Sequence, residues 1–418
     1  MTITHLNTSD IKGGAARAAY RLHQGLREIG VKSSMFVRGK SSSDETVRSV
    51  HLDQSLIARV RRRWRRWYIQ RSFTEYKEDR PDGLELFSDD RTAIASEVVD
   101  QCPDADIFNL HWIANFIDLS TFFEWINAPV VWTLHDMNAF TGGCHYNVGC
   151  DRYKSTCGAC PQLGSDDDRD LSRAIWQRKS DAYQSAIDAG QLHIVAPSRW
   201  LAEEVRRSSL LGEAPVHTIP NGLDAKTFHP RETTGVRQAI EIPDHHRVLL
   251  FVAQSTKNHR KGFDLLQEAL QELSADAVTL VSIGSHEPDL EPDFHHVHLG
   301  SIKSDLLLSV FYSLADVFVI PSRQDNLPNT VLESMACGTP VVGFYVGGIP
   351  DMVRPGETGW LAEPEDASAL RQAIAGALSD ETERNRMADR CRQIVQEEYT
   401  LDVQARAYKS LYESLLNK

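Results

Sequence analysis

The sequence predicts an α/β protein made of two doubly wound domains, each with a parallel sheet covered by helices. The chain has 418 residues, which suits two domains of about 200 residues better than one. Residues 318–351 have the pattern of strand, loop, helix and strand, the repeating unit of a parallel sheet. Residues 2–30 begin the chain with a similar strand, glycine turn and helix.

The first element is a strand over residues 2–7, followed by Gly13, Gly14 and an amphipathic helix that ends at Gly30. Glycine in such a turn lets the backbone approach a ligand closely, and the start of a helix favours an anion. Tight packing between strand and helix would also explain the two glycines. By itself the pattern leaves both interpretations open.

Residues 55–74 form the one strongly basic segment, and they predict a helix with an apolar stripe bordered by arginines. The stripe can pack on the N-terminal domain and leave a solvated basic face. Alternatively, residues 55–71 can rest on an anionic membrane, with tryptophans at the level of the lipid headgroups. The arginines are Arg59, Arg61, Arg62, Arg63, Arg65, Arg66 and Arg71, and the apolar residues are Leu56, Ile57, Val60, Trp64, Trp67 and Tyr68.

Two further strands are predicted at residues 105–111 and 129–135, and the second ends in His135. Ligands of α/β sheets bind outside the carboxyl ends of the strands. A lone histidine is more often a structural residue, but this position at the end of a strand favours a functional one. Asp136 can orient its ring through a hydrogen bond.

Four of the seven cysteines are concentrated in a short glycine-containing segment after this strand. Persistent disulfides are unexpected in a reducing compartment, so a closed structural zinc site is the leading hypothesis, with His145 as a substitute ligand. Unligated thiols and a disulfide remain alternatives. The proposed zinc ligands are Cys144, Cys150, Cys157 and Cys160.

In the second half, a strand at residues 248–253 leads through a basic loop into a helix at 262–273. Lys261, at the start of that helix, can neutralise a diphosphate where the helix dipole already favours an anion. Further elements complete this half: strands at 278–283 and 297–299, and helices from Asp305 and near Ala367, Glu381 and Asp402.

Two carboxylates mark residues 318–351, because Asp325 lies in the loop after the strand and Glu333 lies in the helix that begins near Pro328. At about 1.5 Å per helical residue, these positions are roughly 10 Å apart. An elongated ligand such as a nucleotide sugar can meet both. Hydroxyl groups, rather than a pyrophosphate, are the natural partners of carboxylates.

The D-x7-E pair, the run SMACGTPVV and the following GGIPD resemble the acidic motif and the donor-site loops of glycosyltransferase family 4. Members of that family are retaining enzymes of the GT-B fold, in which two Rossmann-like domains face each other across a cleft. The resemblance implies an acceptor-side domain at residues 1–218 and a donor-binding domain at 219–399. It also implies that a last helix, 400–418, packs back on the first domain.

Carried over residue by residue, the resemblance assigns the diphosphate to Lys261, the ribose hydroxyls to Glu333 and the sugar hydroxyls to Asp325. His135 would meet the sugar from the other domain. The catalytic residues implied are therefore His135, Lys261 and Asp325. Further donor-binding residues implied are Gly13, Gly14, Arg260, Leu327, Asn329, Thr330, Gly347 and Gly348.

The sequence departs from the family pattern in three places. Aspartate replaces the commoner glutamate at position 325, which shortens its reach. Pro328 lacks the N–H that a glycine offers there, and the Asn329 amide can replace it. The family arginine falls near Ser255, so Arg260 or Lys257 would supply the second phosphate contact.

The resemblance implies transfer of a hexose from a nucleotide-diphosphate sugar to a glycan or lipid-linked oligosaccharide, as in bacterial exopolysaccharide and capsule assembly. No cofactor is required for catalysis, and any zinc would be structural. A nucleotide-sugar 2-epimerase shares this architecture and remains an alternative. So does a non-catalytic sugar-nucleotide-binding module.

Charge and hydropathy restrict the partners of the chain. A net charge of -13 argues against a general nucleic-acid binder, which needs a basic surface. No apolar run reaches the roughly 20 residues of a membrane span, and the N-terminus lacks the pattern of a signal peptide. We expect a cytoplasmic protein, either free or peripheral on the inner face of the plasma membrane.

Overall fold

The computed structural model describes residues 1–271, 273, 277–287, 290 and 294–417. Two positions inside predicted helices, Glu272 and Lys418, lie outside the described residues. The chain divides into two compact units, one formed by Met1–Pro220 with the chain from Gln404 onward and the other by Asn221–Val403. The resemblance had implied a division at 218/219.

The first unit contains a parallel sheet. Its strands are β1 (Thr2–Ser9), β2 (Lys32–Gly39), β3 (Val47–Ser49), β4 (Ile107–Leu110), β5 (Val130–Thr133), β6 (Leu192–Ala196) and β7 (Val216–Thr218). The described strands lie in the order β3-β2-β1-β4-β5-β6-β7. Its helices are α1 (Gly14–Glu28), α2 (Leu56–Thr74), α3 (Ala95–Gln101), α4 (Leu119–Trp125), α5 (Leu171–Asp188) and α6 (Arg199–Arg207).

The second unit has its own parallel sheet. Its strands are β8 (Arg247–Val252), β9 (Val278–Ile283), β10 (His295–His298), β11 (Val317–Ile320), β12 (Val341–Phe344) and β13 (Gly359–Ala362), in the order β10-β9-β8-β11-β12-β13. Its helices are α7 (Thr234–Ala239), α8 (Phe263–Gln271), α9 (Asp305–Leu314), α10 (Asn329–Ala336), α11 (Ile349–Met352), α12 (Ala367–Ser379) and α13 (Glu381–Glu398).

Each sheet is buried on both faces, as parallel sheets require. In β8, Val248 and Leu250 belong to one apolar cluster, whereas Leu249 and Phe251 belong to the cluster on the opposite face. This double burial explains why the central strands are nearly continuous apolar runs in the sequence. It also confirms the predicted α/β class.

The last helix, α14 (Leu401–Leu416), contributes two tyrosines to the core of the first unit. Asn109 Nδ2 donates to Tyr412 Oη at 2.7 Å, and the hydroxyls of Tyr408 and Thr133 are 2.9 Å apart. These buried hydrogen bonds satisfy polar groups of β4 and β5 that would otherwise be costly to bury.

The packing side of α2 was left open by the sequence, and the structure places its apolar stripe outward. The side of α2 nearest the first unit carries Ala58, Arg62, Arg65 and Ile69, which are half-buried. None of the helix is fully buried. The interpretation in which the Trp and Tyr stripe packs on the domain is therefore wrong.

Candidate functional site

Asp325 lies in the loop between β11 and α10, where the carboxyl end of a parallel strand meets the next helix. Its side chain is buried and makes two ion pairs. Lys261 Nζ is 2.6 Å from Oδ2, and the Arg260 guanidinium is 3.1 Å from Oδ1. Ser322 Oγ donates a further hydrogen bond to Oδ2 at 3.1 Å. The structure thus brings together three of the predicted donor-site side chains.

Burial alone would raise the pKa of Asp325, but Lys261 and Arg260 outweigh it and lower that pKa from 3.8 to about 2. The carboxylate therefore remains ionised at all physiological pH values. With one negative and two positive groups, the cluster has a net positive charge. Such a cluster can accept an anion without a change of protonation.

Two glycines let neighbouring loops reach the backbone around Asp325. Gly347 has a φ of +54°, and a Cβ there would lie 2.0 Å from the Asp325 carbonyl oxygen. Gly262 has a φ of +65°, and a Cβ there would lie 1.9 Å from the Pro321 carbonyl oxygen. The Gly348 N–H also donates to the Asp325 carbonyl at 3.0 Å. Glycine is thus required at both close approaches.

Helix α10 carries the other predicted donor residues. Glu333 is buried, and Tyr312 Oη donates to its Oε2 at 3.2 Å. Pro328 occupies the N-cap position, which confirms the predicted start of the helix. The Asn329 amide oxygen accepts from Asn221 Nδ2 at 3.5 Å, so this side chain already has a partner. Leu327 is buried, whereas Thr330 is half-buried.

The basic side chains of the loop before α8 lie in different environments. Arg260 points to Asp325 and also donates to the Gln324 carbonyl at 2.8 Å. Lys257 is exposed. Of the two candidates for a second phosphate contact, Arg260 is the one that lies in the cluster.

In the first unit, Gly13 and Gly14 form the turn between β1 and α1. Gly13 has a φ of +96°, and a Cβ added there would have no described atom within 4 Å, so backbone conformation rather than crowding selects glycine. Gly14 is the first residue of α1. Both glycines belong to the first unit, whereas the Asp325 cluster belongs to the second.

His135 lies two residues beyond the end of β5, is half-buried, and ends a chain of three histidines whose other members, His5 and His111, are buried. His135 Nε2 is 3.1 Å from His111 Nδ1, and His111 Nε2 is 2.9 Å from His5 Nδ1. Within the described residues, His5 Nε2 has no hydrogen-bond partner. Because a buried N–H without an acceptor is rare, we assign the proton of His5 to Nδ1. The chain then donates outward and leaves the proton of His135 on its Nδ1.

Burial lowers the pKa of His135 to about 4, and it also lowers those of His5 and His111 well below the usual value. All three rings are therefore neutral at physiological pH. Asp136, which we expected to orient His135, accepts hydrogen bonds from His145 Nδ1 at 2.7 Å and Trp112 Nε1 at 3.1 Å. The side chain that bonds the His135 ring at Nε2 is His111.

The four clustered cysteines line one small cavity of about 20 Å³. All four are free thiols, and burial raises the pKa values of Cys144, Cys157 and Cys160. In the part of the chain that the structure describes, no three His, Cys, Asp or Glu side chains are arranged to hold a metal ion.

The His145 ring is already occupied. Its Nδ1 bonds Asp136, and its Nε2 is 2.8 Å from Ser88 Oγ. Zinc on the four thiols, with His145 as the substitute ligand, remains a prediction.

The sequence did not indicate a role for His5, His111 or Tyr312. A signal for His111 was present, because it follows β4 as His135 follows β5, and adjacent parallel strands place their carboxyl ends side by side. Tyr312, on α9, had no comparable signal, since its contact with Glu333 joins two helices across a loop and a strand.

Solved structures with the same architecture identify the fold. Sucrose-phosphate synthase from Thermosynechococcus elongatus matches with a TM-score of 0.69 at 19% identity, covering 100% of both chains. Anabaena Alr3699/HepE in complex with UDP and glucose matches with a TM-score of 0.68 at 14% identity, covering 99% of this chain and 100% of that one. At these identities the likeness establishes the fold alone, two Rossmann-like α/β domains of the GT-B type.

Two sequence-family models match this chain and identify its family. The model described as Glycosyltransferase Family 4 matches residues 12–227, and the model described as Glycosyl transferases group 1 matches residues 246–380. The chain belongs to Glycosyltransferase Family 4.

Curated relatives are similar over part of the chain. D-inositol 3-phosphate glycosyltransferase 1 of Catenulispora acidiphila is 31% identical over 48% of this chain and 52% of its own length. Lipopolysaccharide core biosynthesis mannosyltransferase LpcC of Rhizobium leguminosarum bv. viciae is 27% identical over 54% of this chain and 70% of its own. The matched region thus spans about half the length of the first of these relatives.

Proposed function

We propose that the protein transfers a sugar from a nucleoside-diphosphate sugar to a hydroxyl group of an acceptor, with retention of anomeric configuration. The observation that carries this proposal is the cluster of Lys261, Arg260 and Asp325 at the carboxyl edge of the second sheet. Two cations converge there on one buried carboxylate, beside the helix that carries Glu333.

The two cations suit the diphosphate of the donor. Lysine and arginine have more N–H groups than Asp325 can accept, so both can bind phosphate oxygens while the carboxylate keeps them in place. In the bond-breaking step negative charge grows on the leaving diphosphate. Cations that are already positioned stabilise this charge without reorganising.

The two carboxylates suit hydroxyl groups of the donor. An ionised carboxylate only accepts hydrogen bonds, and Glu333 is buried with Tyr312 on one oxygen. We assign Glu333 to the ribose hydroxyls and Asp325 to the hydroxyls of the transferred sugar. The family resemblance implies both assignments, and both carboxylates are buried.

For the chemical step we favour attack from the face that the diphosphate leaves. The bond between the anomeric carbon and the diphosphate oxygen breaks, and a bond to the acceptor oxygen forms on the same face. The acceptor's hydroxyl proton passes to an oxygen of the departing diphosphate. The family resemblance assigns the neutral His135 ring to the transferred sugar.

The acceptor class we propose is a glycan or a lipid-linked oligosaccharide used in the synthesis of a cell-surface polysaccharide. Two relatives support this class. One is LpcC, and the other is the lipopolysaccharide 1,2-N-acetylglucosaminetransferase of Salmonella typhimurium, which is 24% identical over 60% of this chain and 70% of its own length. Nucleotide binding by HepE, described in its complexes with UDP and UDP-glucose, supports the donor class.

A ligand panel and one pair of variants test the proposal. UDP-glucose, GDP-mannose and ADP-glucose are first compared by thermal shift, since a ligand at 100 times its Kd stabilises by about 2.7 kcal/mol. With the best donor and octyl glycosides as acceptors, Lys261→Ala should lower turnover about a hundredfold or more. Lys257→Ala, in the same loop but exposed, should stay near wild type.

Glu333→Gln should mainly weaken donor binding. Full turnover by Lys261→Ala with saturating substrates would refute the diphosphate assignment. Release of nucleotide that does not depend on an acceptor, with an altered sugar as product, would identify an epimerase instead.

A further inference from the structure

Helix α2 exposes its apolar residues, unlike an ordinary surface helix. A surface helix normally turns its apolar residues toward the core and its charges toward water. Here the exposed side carries aromatic and aliphatic residues, and the side facing the first unit carries Arg62 and Arg65 between Ala58 and Ile69. The exposed fractions are Leu56 74%, Ile57 82%, Val60 60%, Trp64 64%, Trp67 53% and Tyr68 53%.

Arginines attach the helix to the unit. Arg62 NH1 is 3.0 Å from Glu97 Oε1, and Arg65 NH2 is 2.9 Å from Asp118 Oδ2. Near the end of the helix, the Phe73 ring stacks on Phe87 with 6.0 Å between centroids. These contacts determine which side of α2 faces away from the protein.

The outward residues form one continuous stripe. At 3.6 residues per turn, the six apolar positions fall within about 120° of the helix circumference. Trp64 and Tyr68 stack at 6.0 Å, and the Arg71 guanidinium lies 5.5 Å from the Trp67 ring. A contiguous exposed apolar surface of this kind marks an interaction site.

The stripe is bordered by unpaired positive charge. Five arginines of α2 are exposed and make no ion pair with any described residue, although the whole chain has a net charge of -13. Arg59, Arg61, Arg63 and Arg66 lie along the sides of the stripe, and Arg71 lies at its C-terminal end. The local charge therefore selects an anionic partner, and it opposes self-association through this face because a second copy would bring the same arginines together.

We propose that α2 docks the first unit on an anionic lipid surface, with its axis in the plane of the headgroups. Tryptophan and tyrosine prefer the membrane interface, and arginine side chains reach lipid phosphates while their stems cover apolar surface. Leu56, Ile57 and Val60 favour lipid over a nucleic acid, because aliphatic side chains cannot stack on bases as aromatic ones do. Among the helices in the described part of the chain, none is long and apolar enough to cross a membrane.

This inference does not depend on the proposed sugar transfer, because binding to lipid is measured without substrate. The full chain is mixed with vesicles of 30% phosphatidylglycerol in phosphatidylcholine, or with phosphatidylcholine alone, and the bound fraction is measured by flotation. We expect binding to the anionic vesicles only, and weaker binding as salt is raised from 0.1 to 0.5 M.

Two variants separate the contributions of charge and stripe. Arg61→Glu with Arg63→Glu should weaken binding about thirtyfold or more, at about 1 kcal/mol per lost arginine. Trp64→Ser with Trp67→Ser should remove the quenching of tryptophan fluorescence by brominated lipid. Arg62 and Arg65 are left unchanged, because they attach the helix to the unit.

Matched controls lie elsewhere on the surface. Arg48→Glu with Arg169→Glu changes the net charge equally, and Leu306→Ser with Leu307→Ser removes two exposed apolar side chains. Both controls should bind as wild type does, and all variants should keep the wild-type melting temperature.

The proposal is overturned if the wild type binds neither vesicle or both equally. It is also overturned if the α2 variants bind as well as the controls. Binding of a single-stranded RNA 20-mer that is lost in the α2 variants, without binding to vesicles, would assign the surface to nucleic acid instead.

Discussion

Replacing Asp325 by asparagine should destabilise the second unit by a predictable amount. The carboxylate has a pKa of about 2 in the folded protein and 3.8 ordinarily. At about 1.36 kcal/mol per pKa unit, this difference corresponds to about 2.4 kcal/mol of stabilisation. Asparagine keeps the size of the side chain but leaves Lys261 and Arg260 beside a neutral group, so the loss should be at least this large.

The pH dependence has a definite sign. Because folding lowers the pKa of Asp325, its stabilisation is fully present above pH 4 and is lost as the pH falls through 3.8 toward 2. The difference between wild type and Asp325→Asn should therefore be constant from pH 5 to pH 8. At pH 3 it should be smaller by about 1.1 kcal/mol, which is close to half of the part that depends on this ionisation.

Hydrogen exchange followed by mass spectrometry is the suitable assay, because it reports on one unit of a two-unit chain. The amides of β11, immediately before the Asp325 loop, should show the lower opening free energy in the variant. Asp264→Asn is the matched control. Asp264 also pairs with an arginine, at 2.6 Å from Arg323, but its side chain is 57% exposed, so its removal should cost less than about 1 kcal/mol.

Equal losses in the two variants would show that burial of the Asp325 pair has no special weight. An unchanged opening free energy in Asp325→Asn would refute the pairing itself.

Two further predictions concern the first unit. His111→Phe should lower kcat with little change in the donor KM, because the His135 ring loses its bond at Nε2. His111→Asn offers an amide near the position of the His111 Nδ1 atom and should restore part of the rate. Equal rates for the two variants would contradict this positioning role. Because the pKa of His135 is about 4, protonation of this ring should not limit wild-type activity above pH 5. Elemental analysis of protein purified without added metal should find one zinc per chain. Cys157→Ser should lower both the zinc content and the Tm. Less than a tenth of an equivalent of zinc or iron, in protein with the four thiols reduced, would refute the zinc hypothesis.

The elements that could be predicted from the sequence are those with buried faces and clear boundaries. Residues 318–351 were confirmed as β11, α10 and β12, because a β-branched run, a proline at the helix start and a second β-branched run are unambiguous together. Strand β2 and its neighbour at the edge of the sheet, β3, were not predicted. Their serines and charged ends give little of the apolar signal that a central strand requires.

The orientation of α2 could not be predicted for a different reason. Periodicity groups residues on one side of a helix, but it does not say which side faces the protein. The answer depends on Glu97 and Asp118, two acidic residues remote in the sequence that bind Arg62 and Arg65. The cluster at Asp325 shows the same limit, since loop positions and the family resemblance predicted its members but not that both cations would bind the carboxylate.

The close backbone approaches at Gly262 and Gly347 bear on how the donor preference of this protein can be redesigned. A Cβ at Gly347 would overlap the Asp325 carbonyl oxygen, and one at Gly262 would overlap the Pro321 carbonyl oxygen, so neither position can hold a side chain. Randomised libraries should therefore hold both positions fixed and vary half-buried Thr330, which lies on α10. A library that also randomised the two glycines would consist mostly of misfolded members, and its screening effort would be lost before donor choice was sampled.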